Sequence, residues 1–107
     1  MTTFDKREDG FEKKFALDEE QKFKAEARRN KLLGLWAAEK LGITGEAANA
    51  YAKEVVAADF EEAGDDDVLR KIAADFKAKN VPELPGEIRS KMTELMAVAV
   101  TQIKAGQ

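Results

Sequence analysis

Apolar side chains recur at helical spacing in three stretches of the chain. Ala48, Tyr51, Val55 and Ala58 form one stripe, with Ala52, Val56 and Phe60 beside it. Val68, Leu69, Ile72, Ala73 and Phe76 form a second, and Ile88, Met92, Leu95, Met96, Ala99 and Ile103 a third. A period of three to four residues is the mark of a helix with one buried face, so each stretch predicts an amphipathic helix. Residues 23–42 behave differently. They open as Phe-Lys-Ala-Glu-Ala-Arg-Arg-Asn-Lys and run without a break into Leu-Leu-Gly-Leu-Trp-Ala-Ala-Glu-Lys-Leu-Gly. Leu32, Leu33, Leu35, Trp36 and Leu41 cover more than one side, which predicts a helix that leaves water and becomes the central piece of a core.

Punctuation sets the boundaries. Gly42 and Gly64 end helices, Thr44 is a good N-cap, and Asp65, Asp66 and Asp67 suit the positive end of a third helix, which Asn80 closes. Residues 81–86 hold both prolines and form the one real loop before a fourth helix over 87–104 that stops at Gly106. The short connections favour helices that fold back on one another, so the fold class is all-α, a compact four-helix bundle.

Composition agrees and narrows the chemistry. Among 107 residues, 44% are hydrophobic and 36% charged, enough apolar material for one modest core. The chain has no Cys and no His, which removes thiolate catalysis, disulfides, the common general base and the usual zinc ligands. Ser90 is the sole serine and has no activating base, so an enzyme is not expected. A net charge of -3, with basic and acidic residues interleaved from Lys6 to Lys31, argues against nucleic acid. The longest apolar run, residues 95–100, is far too short to insert in a membrane, and no export signal opens the chain.

Residues 1–22 are set apart from residues 23–107. Phe4, Phe11 and Phe15 fall along one stripe of a helix, but charges fill the rest, and burial of three rings cannot offset the entropy of ordering the segment alone. The expectation is a mobile, partly helical N-terminal arm on a four-helix domain. Read unaided, such an arm is either a plain charged terminus or a segment that finds an apolar surface on a partner.

Other constellations are weaker. The acidic set Glu54, Asp59, Glu61, Glu62, Asp65, Asp66 and Asp67 lacks the spacing of a calcium loop and reads as capping plus a solvated face, so no metal is expected. Gly42-Ile43-Thr44-Gly45 lacks the Gly-Lys-Ser/Thr ending of a phosphate loop and reads as a helix turn. Trp36 and Tyr51 read as core anchors, and Met92 and Met96 as core filling.

Longer runs are more specific: Thr2-Thr3-Phe4-Asp5, Phe11-Glu12, Lys14-Phe15-Ala16, the block 23–42, residues 50–56 and 58–65, Lys91-Met92 and Glu94-Leu95-Met96. With these the chain resembles the zeta-type inhibitor subunit of α-proteobacterial F-type ATP synthases. The resemblance implies a regulatory inhibitor of ATP hydrolysis by the F1 sector, with F1 α, β and γ subunits as partners. It places the protein in the cytoplasm, at the inner face of the plasma membrane through F1, and as a monomer when free. It further implies that the arm folds as a helix in an α/β cleft. There Phe4, Phe11 and Phe15 would anchor, and Asp5, Lys6, Arg7, Glu8, Glu12, Lys13 and Lys14 would set register at the rim. No cofactor is required. Family members are associated with adenine nucleotides, at a site the resemblance does not place; the residues alone leave open weak, unspecific nucleotide binding near Thr44 or among Arg28, Arg29 and Lys31. A nucleotide sensor and an adaptor for another partner stand as alternatives.

Overall fold

The computed structural model describes residues 17–59, 66–83 and 86–106, and within them the protein is four helices without a strand. These are α1 (Glu19–Leu41), α2 (Gly45–Ala58), α3 (Asp66–Ala78) and α4 (Glu87–Lys104). The described chain thus forms the all-α, four-helix fold that the periodicity predicts.

α1 is the axis of the molecule. It packs chiefly on α2 and α4, while α3 closes the remaining side against α2, α1 and α4. Cross-links give the directions. Arg28 meets Gln102 and Lys40 meets Glu87, so α4 runs antiparallel to α1. Tyr51 meets Asp75 and Glu54 meets Lys71, so α3 runs antiparallel to α2.

Local chemistry fixes the ends. Asp18 is extended (φ -71, ψ 172) and accepts from the Gln21 backbone N–H at 2.7 Å, while the Gln21 side chain accepts from the Asp18 N–H at 3.2 Å. This reciprocal capping box satisfies two donors that a helix start leaves open. At the other end Gly42 takes φ 77, and the Ile43 N–H reaches back to the Ala38 carbonyl at 2.8 Å. Only glycine enters that left-handed region without cost, so the turn into α2 is written by Gly42. Thr44 stands at the N-cap of α2 with extended backbone, but its hydroxyl makes no capping bond. α2 has Ala58 as its last helical residue and Asp59 as its C-cap, and Gly64 lies outside the described residues. Asn80 closes α3 at φ 58, and α4 spans the stretch its stripe predicts.

The core is Leu33, Ala37 and Ala38 of α1, Tyr51 and Val55 of α2, Val68, Ile72 and Phe76 of α3, and Ile88 and Met92 of α4. Trp36 is half-buried rather than enclosed: its ring tilts against Phe76 at 5.9 Å, with Lys40 and Lys91 ammonium groups 5.6 and 5.8 Å from its centroid. Burial in α1 starts earlier than the charged opening suggests. Ala25, Arg29 and Asn30 are all buried, so the first half of α1 is part of the bundle.

Candidate functional site

The ten residues expected to engage a partner, Phe4 to Arg7, Glu8, Phe11, Glu12, Lys13, Lys14 and Phe15, all lie outside the described residues. What the structure does show is the surface around the start of α1. The chain arrives at Leu17 and turns into α1 through the extended, capped Asp18, so α1 has a built beginning. From that point an open groove of about 610 Å³ runs along α1, bounded by the C-terminal ends of α2 and α4. Phe23 and Ala27 of α1, Val56 of α2 and Ile103 of α4 give it an apolar lining. Phe23 is the most exposed large apolar side chain among the described residues, at 57%.

Cations border that lining. Lys24, Arg28 and Lys31 sit one helical turn apart on α1. Lys24 is held by Glu20 at 3.1 Å, and Arg28 donates to the Gln102 amide oxygen at 2.8 Å. No described carboxylate pairs with Lys31. A second opening between α1 and α2 is lined by Lys31, Asn49, Ala52, Lys53 and Val56, so the basic border continues past Lys31. The sequence does carry a signal for this row, the 24, 28, 31 spacing, but it reads there as a solvated helix laced with ion pairs.

Arg29 takes the other direction. It is 3% exposed, its Nε donates to the Asn30 Oδ1 at 3.0 Å, and it lines a separate groove on the α4 side with Met92, Met96 and Val100. Arg28, Arg29 and Lys31 therefore do not converge on one spot. Thr44 is further removed, at the N-cap of α2 beyond the C-terminal end of α1, whereas Arg28 lies in the first half of α1.

The acidic residues have local tasks. Asp66 accepts from Arg89 at 2.9 Å, Asp67 pairs with Arg70, and Glu54 faces Lys71 at 3.5 Å. Asp75 takes the Tyr51 hydroxyl at 2.7 Å and the Lys71 ammonium at 3.2 Å, and that same ammonium lies 5.1 Å from the Tyr51 ring centre. Burial, then the bond to Asp75, holds the Tyr51 phenol well above the ordinary tyrosine range. Among the described residues no group of three or more His, Cys, Asp or Glu is placed to hold a metal, and no helix is long and apolar enough to cross a membrane.

Against known families, the model described as ATPase inhibitor subunit zeta matches residues 1–102. The chain belongs to that family. The zeta match takes in the Phe-bearing residues 4–15 as well as the four described helices. A structure solved by solution NMR is 56% identical to this zeta-family chain, with a TM-score of 0.70, and the match covers 79% of this chain and 96% of that one. No curated protein matches.

Proposed function

We propose that the protein is a non-catalytic regulator that restrains ATP hydrolysis by the F1 sector of ATP synthase, residing in the cytoplasm against the membrane-bound enzyme. The family match from residue 1 through residue 102 carries this reading, because it spans the arm as well as the bundle. The arm is the working part. Phe4, Phe11 and Phe15 enter an apolar cleft between an α and a β subunit near γ and fold there as a helix, with Asp5, Lys6, Arg7, Glu8, Glu12, Lys13 and Lys14 pairing at the rim. A helix wedged between subunits whose interface must open and close in each cycle stops turnover.

The capped start of α1 supports this division of labour. Its capping box is made by Asp18 and Gln21 alone, so no residue before Asp18 takes part in it. Steady-state ATP hydrolysis by F1, with and without the full chain and a version lacking residues 1–17, tests the reading. The full chain should suppress hydrolysis. The truncated chain should keep its helical circular dichroism and cooperative melt but fail to inhibit. Equal inhibition by both would remove the arm from the mechanism.

A further inference from the structure

The groove along the first half of α1 has the length, lining and charge to hold a second helix. It runs from Gln21 to Lys31, ten residues or about 15 Å at ~1.5 Å per residue. Phe4 to Phe15 as a helix spans about 17 Å on the same measure. We propose that in the free protein residues 4–15 fold back as a helix into this groove, antiparallel to α1, so that the bundle masks its own inhibitory segment. This rests on the inhibitory reading of the arm.

Three observations select this occupant. The first is tethering: the chain joins the described residues at Leu17 and Asp18, close in sequence to Gln21 and Phe23 of the groove. Asp18 is extended where a continuing helix would need helical backbone, so α1 does not run on through it and leaves a fold-back open. A segment attached two or three residues from its site meets it at millimolar effective concentration.

The second is the pairing of surfaces. At ~100° per residue, Phe4, Phe11 and Phe15 fall within about 40° of one another on a helix, and Glu8, Glu12 and Asp5 follow on one flank. Arg7 and Lys14 lie on the opposite flank. The groove offers Phe23, Ala27, Val56 and Ile103 to the rings and Lys24, Arg28 and Lys31 to the carboxylates. Lys31, with no described carboxylate of its own, gains most from an acidic neighbour.

The third is handedness. Around α1, Phe23 and Ala27 precede the row Lys31, Lys24, Arg28 in the direction of increasing angle. Around the arm, the three Phe precede Glu8, Glu12 and Asp5 in the same direction. Two helices with matching order bring apolar to apolar and acid to base only when they run antiparallel, because reversing one reverses its sense of rotation. A segment that folds back at Asp18 takes that direction.

Docking of this kind is weak by construction, and it acts as a tax on inhibition. If nine arms in ten are docked, the apparent affinity for F1 falls about tenfold relative to a released arm.

The absence of native Cys makes the test clean. A nitroxide placed on Thr2→Cys of the full chain should broaden the amides of residues 23–31 and Val56 selectively. Lys31→Glu should release the arm and remove the broadening, as should Glu8→Lys with Glu12→Lys. Combining Lys31→Glu with Glu8→Lys should restore it. Lys31→Glu should also inhibit F1 several-fold more strongly than the native chain.

Uniform, weak broadening overturns the proposal. So does broadening carried by labelled molecules onto unlabelled isotope-enriched ones, which assigns the groove to a second copy. Groove perturbation that arises only on adding F1 assigns it to the ATPase and overturns it as well. The two readings part cleanly: docking without inhibition sinks the inhibitory reading alone, and inhibition without docking sinks this one alone.

Discussion

Gly34→Ala separates helix propensity from packing, because the two give opposite signs. Gly34 lies mid-helix in α1, where alanine is worth about 1 kcal/mol more than glycine. On propensity alone the substitution stabilises. The structure puts an ideal Cβ at this position 2.6 Å from the Ala52 Cα, 3.1 Å from the Ala52 Cβ and 3.3 Å from the Val55 Cβ. The nearest obstacle is backbone, which no rotamer change removes. α2 has to retreat by roughly 1 Å, and the retreat loosens the α1–α2 contact along its length. Overpacking of this kind costs about 1–3 kcal/mol, and more when backbone must move. The net expectation is a loss of about 1–2 kcal/mol after the propensity gain. At about 4–8 °C per kcal/mol for a domain of this size, thermal unfolding followed by circular dichroism should shift down by roughly 5–15 °C. Adding Ala52→Gly removes the 3.1 Å contact but leaves the 2.6 Å one, so it should recover only part of the loss. A melting temperature equal to or above that of the native chain refutes the close approach as the reason for glycine at this position.

Tyr51 is the sole tyrosine, so its ionisation is read directly from absorbance near 295 nm. Its folded pKa is raised above the unfolded value of about 10, so its stabilising contribution is complete below pH ~10 and fades as pH rises beyond that. No tyrosinate signal should grow until alkaline unfolding, and reversible titration of the folded chain near pH 10 would contradict this. Tyr51→Phe should cost about 1 kcal/mol at neutral pH through the lost bond to Asp75, and its stability should fall less steeply above pH ~10. Asp18→Ala removes the acceptor half of the α1 capping box and should cost about 0.5–2 kcal/mol in urea unfolding with an unchanged slope.

Helix identity and most ends are legible in the sequence because single residues carry them. Gly42, Asn80 and Gly106 take positive φ where the chain stops being helical, and the stripe of α4 falls on the residues that bury. The inward face of α1 is not legible in the same way. Arg29 reads as part of a charged opening, yet it is buried beside Asn30, since a long side chain can lie within a bundle while its charge dominates any hydropathy pattern. Gly34 carries no signal in the hydrophobic pattern, and only the partner backbone reveals it as a contact. Trp36 reads as core, but it lies half-buried at the α1–α4 edge with the Lys40 and Lys91 ammonium groups over its ring. For the site, the three Phe among charges of residues 4–15 lie outside the described residues, whereas the groove along α1 is assembled from α1, α2 and α4 and has no linear signature.

Trp36, the one tryptophan, sits where α1, α3 and α4 meet, its ring against Phe76 and beneath two ammonium groups. The protein therefore carries its own optical gauge. An indole held near two fixed positive charges and one aromatic neighbour changes its emission when any of the three helices moves, so a stopped-flow trace at a single wavelength follows the closing of the whole bundle, with no label added.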